Sequence, residues 1–516
     1  MSLSRLFRRK SLDVLVAETA APHHQLKRAL GPFQLTMLGV GAIVGAGIFS
    51  TVGTAAAGGG EHTGAGPALV LSLLLVAIAS AFAALCYSEF AAMVPVAGSA
   101  YTYAYGTLGE LVAWIIGWDL ILEYAVGNVA VAISWSDYFQ SLVAGLHLHW
   151  PAWLGTDFRT AMESAHKVAA AKAAGVDWTT LGDAVARGNE AFSHAPRIFG
   201  VPLVFNLPVL LIITLLTWVL VWGIRESAGF NSAMVLLKLA IVLFFVSVGA
   251  FFVKPSNWTP FAPHGFHGVS SAAANIFFAY IGFDAISTAA EETRNPQRDM
   301  PISIIASLVI CTVIYLAVAL VLTGMVHWDQ FSGVADPLAK AFADRGMNWT
   351  AGIIAFGAVF ATTSVLLVFQ IGQPRILFSM ARDGLLPKWA STVHPKYRTP
   401  HITTILTGIF VAAVAQVINI DEATDLCNIG TLFAFVLVAA GVIALRKTDP
   451  ARPRPFRTPF VPWVPLLAIL CCGYLMWVQP RSAWLRFAIW LCVGLFIYFL
   501  YGVRRSRLNL DSADKK

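Results

Sequence analysis

The chain has 516 residues, 57% hydrophobic and only 12% charged, with a formal net charge of +7. A soluble domain carries about twice that charged fraction, so the composition excludes one and points to an all-α polytopic membrane protein. A β-barrel is excluded because its strands alternate apolar and polar residues, and the apolar runs here are continuous. The basic residues flank those runs, so the charge does not indicate a nucleic-acid partner.

In chain order, the first 30 residues are polar and basic (Arg5, Arg8, Arg9, Lys10, Lys27, Arg28) and lack the apolar core and cleavage site of a removable signal peptide. Hydropathy then predicts twelve spans at 33–57, 67–94, 108–141, 202–223, 228–253, 270–291, 301–326, 350–379, 401–419, 424–445, 462–478 and 484–503. Lys and Arg concentrate in the N-terminus, the even-numbered loops, the end of span 8 and the C-terminus. The positive-inside rule therefore places both termini in the cytoplasm, in a plasma membrane (the inner membrane in a Gram-negative cell). The six cysteines have no metal-ligand spacing and read as small buried apolar residues.

Span 1, PFQLTMLGVGAIVGAGIFSTVGTAA, is a poor continuous helix. Gly39, Gly41, Gly45 and Gly47 crowd its middle, and each Gly costs up to ~1 kcal/mol relative to Ala in a helix interior. A break at membrane depth is tolerated only where it lines a cavity or holds a ligand. Gly45-Ala46-Gly47 leaves a bare backbone whose amides open a second half-helix and suit a carboxylate. The carbonyls ending the first half, near Ile43, suit an ammonium. Together they read as half of a solute site.

Span 6 echoes this pattern: ANIFFAYIGFDAISTAAEETRNPQ is apolar to Tyr280, then meets Gly282 and Asp284. Taken alone, Gly282 reads as a close-packing residue. Paired with span 1, it predicts an inverted five-helix repeat with broken helices 1 and 6 and a solute site at the midplane. The expected segments are a cytoplasmic stretch 1–32, a first repeat 33–253, a second 270–445, two peripheral helices in 446–503 and a cytoplasmic tail 504–516. The only long loop, 142–200, lies on the outer side and includes the helix-forming RTAMESAHKVAAAKAAG; a decoration and a lid or docking element are both open. Its scattered His147, His149, His166 and His194 form no ligand pattern, and no metal or other cofactor is expected.

Lys238 lies about 15 Å along span 5, counted at 1.5 Å per residue from Ala228. From there it cannot snorkel to either headgroup layer, so it faces the bundle interior. Glu123 and Asp119 stand one turn apart in span 3. Glu123 either lines a vestibule and tunes proton access or bonds to neighbouring helices. Asp284 is expected to organise the unwound backbone of span 6. Phe283 is either a gate or a packing aromatic. Glu89, Glu291 and Glu292 are candidates for inner ion pairs with Arg294, Arg375 or Arg382, or are solvated helix-end charges.

Five ordered stretches carry a resemblance: LKRALGPFQLTMLGVGAIVGAGIF (26–49), YSEFAAMVPVAGSAYTYAY (87–105), GWDLILEYAVGNVAVAISWSDY (117–138), FFAYIGFDAISTAAEETRNPQRDMP (277–301) and FSMARDGLLP (378–387). With these the chain resembles the amino acid–polyamine–organocation superfamily, and within it the bacterial cationic amino acid transporter family. The resemblance spans about 26–510 apart from the 142–200 loop. It implies substrate contacts from Ile43, Gly45, Ala46 and Gly47, and from the carbonyls of Phe278, Ala279 and Ile281. Many relatives carry a polar residue where this chain has Ala46, so one hydroxyl contact is absent. The resemblance also implies a pocket wall at Thr362. It makes Lys238 a proton-coupling group that bridges span 1 carbonyls and the hydroxyls of Thr363 and Ser364.

The function expected is secondary amino acid transport, proton-coupled, by alternating access in the lipid bilayer; the solute and the protons are its expected partners, and protein partners are not indicated. An amino acid exchanger is the alternative within transport. Sodium coupling is disfavoured, because Lys238 takes the cation's place. A non-transporting amino acid sensor is a lesser alternative, since such proteins usually carry a sizeable output domain. Neither an enzyme's catalytic constellation nor a phosphate-binding loop is present.

Overall fold

A computed structural model describes residues 7–11, 28, 30–96, 99–145, 148, 150–223, 228–397 and 399–508. Most of the expected N-terminal stretch 1–32, residues 509–516 of the tail, and His147 and His149 lie outside the described residues.

Among the described residues, eight helices are long and apolar enough to cross a membrane: Gly66–Met93, Glu110–Gly145, Ser232–Phe252, Gly265–Glu292, Pro296–Met325, Asn348–Arg382, Ile420–Thr448 and Arg481–Arg505. A ninth is bent, with Pro32–Ile43 and Gly47–Ala57 meeting at 44°. Three shorter apolar helices, Leu207–Trp222, His401–Val414 and Trp463–Val478, fall in the predicted spans 4, 9 and 11. The only strands among the described residues form two-residue hairpins, Gly58–Gly59 with His62–Thr63 and Arg197–Ile198 with Val201–Pro202.

Helix ends follow local chemistry. Pro32 opens span 1, where its missing N–H costs nothing, and the Gln34 side chain accepts from the Gly31 amide at 3.1 Å. Asn206 caps span 4 by accepting from the Val209 amide, and Gly223, at φ 78°, ends it. Span 9 stops at Val414 instead of the expected 419, because Asn419 already caps span 10 through the Glu422 amide at 2.9 Å. Span 3 is continuous over Glu110–Gly145 but loosens into a π turn at Leu122–Val126, a local widening often found at functional sites.

Span 2 packs along span 7, span 3 along span 8 and span 4 along span 9, while the breaks of spans 1 and 6 touch each other. The long loop folds into two helices, Phe158–Ala173 and Asp183–His194, around a small core of Ala161, Ala191, Ala195 and Val204. Asp157 caps the first of them, accepting from the Thr160 amide at 2.7 Å. The unit is tied to the junction of spans 9 and 10 through Phe158 N–H to Gln416 O at 2.9 Å and through Arg159 to Glu422 at 3.3 Å.

Two sequence expectations change. Glu89 does not meet Arg294, Arg375 or Arg382. Its carboxylate takes Arg446 at 2.9 Å, Arg454 at 3.2 Å and the Thr458 amide at 2.8 Å. The partners come from the end of span 10 and the following loop, which folding wraps onto span 2. Cys86, Cys311, Cys427 and Cys472 are buried, whereas Cys471 is half-buried and Cys492 is exposed on the outside of the bundle. At the same end of the bundle as Asp383, the N-terminal residues are held in place: Lys10 pairs with Asp383 at 2.9 Å, and the Glu110 amide donates to Arg8 O at 2.9 Å.

Candidate functional site

The first half of span 1 ends where Val44 turns extended, at φ −76° and ψ 96°. The interruption therefore begins one residue before the glycine-alanine-glycine stretch. A helix end leaves its last carbonyls and its first amides without intrahelical partners, and here the freed carbonyls are met by other spans. Lys238 Nζ, on a residue only 1% exposed, donates to Gly41 O at 2.7 Å and to Val44 O at 3.1 Å, and reaches Ala361 O of span 8 at 3.5 Å. Tyr315 of span 7 donates its hydroxyl to Ile43 O at 2.9 Å.

On the far side of the break, Ala46 precedes the π turn Gly47–Thr51, and the Ile48 and Phe49 amides reach back to Gly45 O at 3.2 Å each. A Cβ on Gly45 would lie 2.8 Å from a Val365 methyl of span 8. One on Gly47 would lie 2.6 Å from Ala279 Cβ and 2.7 Å from Ala279 N. These glycines thus serve as close-approach points for spans 8 and 6 as well as bare backbone.

Span 6 is helical to Ile276, tightens to a 3-10 turn over Phe277–Tyr280, and turns extended at Ile281. Gly282 follows at φ 114°, a conformation that favours glycine, and its missing Cβ would sit 3.0 Å from the Ala42 backbone carbon. The contacts are reciprocal. Gly47 of span 1 meets Ala279 of span 6, and Gly282 of span 6 meets Ala42 of span 1. This arrangement brings the carbonyl segments of Phe278, Ala279 and Ile281 to the break in span 1.

Asp284 opens the second half of span 6 and is fully buried. Its carboxyl faces that of Glu123, which the π turn of span 3 aims at it; Asp119 lies beside the pair. Phe283 is buried in an aromatic cluster, with ring centroids 5.9 Å from Tyr87 and 5.1 Å from Phe435. It packs there edge-on and tilted, as an interior aromatic.

Span 8 divides its face between two neighbours. Val365 points at Gly45 of span 1, and the Ala361 carbonyl is turned toward Lys238 of span 5. Thr362 is fully buried, one turn from Val365, with its hydroxyl bonded back to Ala358 O at 2.6 Å. Thr363 does not bridge to Lys238. Its hydroxyl donates to Val359 O at 2.6 Å and accepts from Trp135 Nε1 of span 3 at 2.8 Å. Lys238 takes a span 8 carbonyl in place of the Thr363 hydroxyl expected from sequence, because that hydroxyl is turned toward span 3. Ser364 is buried. Sequence reasoning passed over Tyr315 and Trp135. The signal it could have used is a polar tip in mid-membrane, which needs a partner when buried.

At the opposite end of the bundle from Asp383, the hairpin that follows span 1 carries His62, 6% exposed, whose Nε2 meets Asp425 Oδ1 of span 10 at 2.6 Å. Its Nδ1 faces Ser271 Oγ of span 6 at 3.5 Å. Burial alone would pull the imidazole down; the Asp425 hydrogen bond and the Asp425 and Asp421 charges outweigh it and hold His62 above its ordinary value.

A many-helix membrane bundle with an interrupted helix at its centre is an integral membrane protein, and its relatives are transporters. The family model described as amino acid permease matches residues 30–500. The chain is 46% identical to a branched-chain amino acid permease of Bacillus subtilis, over 98% of this chain and 99% of that one. It is 45% identical to a methylthioribose transporter of Bacillus subtilis, over 98% and 100%. A vacuolar cationic amino acid transporter of Arabidopsis thaliana is 34% identical over 87% of this chain and 68% of its own. The chain belongs to the amino acid permease family of the amino acid–polyamine–organocation superfamily, and is similar to its cationic amino acid transporter branch.

Proposed function

We propose that the protein is a proton-coupled amino acid symporter working by alternating access about the two touching breaks. The observation that carries the reading is the Lys238 ammonium, which holds Gly41 O and Val44 O of span 1 and reaches Ala361 O of span 8. A protonated lysine is a clamp between two elements that must part for the site to change sides. A neutral amine makes weaker hydrogen bonds to carbonyls than an ammonium does, so loss of the proton loosens the clamp. In this reading the solute carboxylate lies on the amides of Gly45, Ala46 and Gly47. The solute ammonium lies on the carbonyls of Ile43, Phe278, Ala279 and Ile281, and its side chain lies toward Thr362. Glu123 lines the vestibule and tunes proton access, and Asp284 organises the unwound backbone of span 6.

The architecture proposed is twelve spans with both termini in the cytoplasm of a plasma membrane, repeats at 33–253 and 270–445, and spans 11 and 12 outside them. Spans five apart in the chain pack as pairs, 1 with 6, 2 with 7, 3 with 8 and 4 with 9. This pairing of four of the five span pairs supports two inverted halves about a common axis.

A branched-chain amino acid is the first solute to test, and methylthioribose is a second reading favoured by the full-length 45% identity. Purified protein is screened by thermal shift against the twenty amino acids and methylthioribose, since a ligand of the folded state raises its apparent stability. Hits then go into proteoliposomes. Wild type accumulates the solute down an imposed pH gradient, whereas Lys238→Ala and Lys238→Gln do not. Wild-type pH-driven accumulation in either variant refutes proton coupling through Lys238, and counterflow without net uptake identifies an exchanger.

A further inference from the structure

The carbonyl that the proposed function gives to the solute's ammonium is already taken. Ile43 O, the end of the first half-helix of span 1, accepts the Tyr315 hydroxyl at 2.9 Å, with Tyr315 fully buried and Ile43 2% exposed. Its neighbours in the same turn, Gly41 O and Val44 O, are held by Lys238. The freed carbonyls are therefore divided between an ammonium and a phenol. The phenol is a single neutral donor, and its bond is the one an incoming ammonium replaces with a charge-assisted bond of roughly twice the strength. The Tyr315 ring also stands edge-on to Tyr280, with centroids 5.5 Å apart and planes at 88°. Tyr280 is the last residue before span 6 turns extended. Span 7 thus reaches both breaks through one side chain.

We infer that Tyr315 is a positioning residue, an internal stand-in for the solute's ammonium that holds Ile43 O and is displaced by a solute bearing a primary amine. The inference rests on the amino acid reading above. A solute without an amine leaves the phenol's bond in place and gains nothing at this carbonyl. An amine displaces the hydroxyl and shifts the ring that touches Tyr280, which connects occupancy of the site to the break in span 6.

The test uses full-length protein in detergent, with L-leucine, L-isoleucine and L-lysine as probes and 4-methyl-2-oxopentanoate as the amine-less counterpart of leucine. Tyr315→Phe removes the hydroxyl and keeps the ring against Tyr280. Freed of competition, Ile43 O then binds the amine more tightly. The dissociation constant for the amino acid falls about three- to tenfold, the scale set by one neutral hydrogen bond, while that for the oxo acid does not. Tyr280→Phe, whose hydroxyl donates to Leu73 O at 3.3 Å, leaves the ratio of the two unchanged. As a second measurement on protein with the hydroxyl intact, 3-fluorotyrosine at position 315 shows a shifted fluorine resonance with L-leucine and none with the oxo acid. Unchanged or weaker amino acid binding in Tyr315→Phe, or equal tightening toward both probes, overturns the inference and leaves the amino acid reading standing. Failure of wild type to bind any of the three amino acids overturns both.

Discussion

Gly47→Ala tests the geometry on which the site depends. A methyl at that position would lie 2.6 Å from Ala279 Cβ and 2.7 Å from Ala279 N, where carbon contacts need about 3.5–4.0 Å. The obstruction is backbone, so no rotamer relieves it, and spans 1 and 6 must separate by on the order of 1 Å. Overpacking of this kind costs about 1–3 kcal/mol, a factor of about 5–150 in any equilibrium that requires the two breaks to touch. Gly45→Ala is the internal control. Its methyl would lie 2.8 Å from Val365 Cγ2, a side-chain end that can move aside, so its effect is smaller. The assay is the melting midpoint of purified protein together with uptake in proteoliposomes. Gly47→Ala melts several degrees below wild type and loses uptake, while Gly45→Ala stays between the two. Wild-type behaviour of Gly47→Ala, or a larger loss in Gly45→Ala, would refute the claim that spans 1 and 6 meet at this point.

Other expectations concern charges away from the break. Glu89→Ala leaves Arg454, whose side chain is 3% exposed, without its carboxylate, and removing one partner of a buried pair costs about 3–5 kcal/mol. The variant shows a marked drop in melting midpoint, with Glu89→Gln in between; an unshifted midpoint for Glu89→Ala contradicts the clamp on span 2. His62 is held above its ordinary value by Asp425. A group raised on folding contributes stability that is fully present below its unfolded value near 6.5 and is lost as pH rises through the folded value. The midpoint difference between wild type and His62→Gln is therefore largest at acid pH and shrinks as pH rises above the ordinary imidazole range, and a difference that does not vary with pH removes this assignment.

The helical membrane class, the approximate position of each apolar helix and the interruption in span 1 were legible in the chain, because hydropathy, proline and glycine act within a few residues of where they stand. Boundaries drifted where a cap decided them: Asn419 begins span 10, and that shortens span 9. The candidate site was legible in one respect only, as backbone segments. Gly45 and Gly282 advertise breaks, and a lysine halfway along span 5 advertises an interior group. What each one touches was not legible. Thr363 lies beside Ser364 in a polar run, yet its hydroxyl accepts from Trp135 of span 3, because helix rotation decides which neighbour a side chain meets. Tyr315 sits in an ordinary apolar run, and only packing of span 7 against span 1 carries its hydroxyl to Ile43.

By itself, then, the sequence determined the solvent this chain folds in, the family it belongs to and the places where its backbone cannot remain helical. Each is a property of short stretches read against water and lipid. Tertiary structure alone decided who satisfies the backbone groups that those interruptions free. Lys238 is 197 residues from Gly41 and Tyr315 is 272 from Ile43, and pairings at that range exist only once the spans have packed.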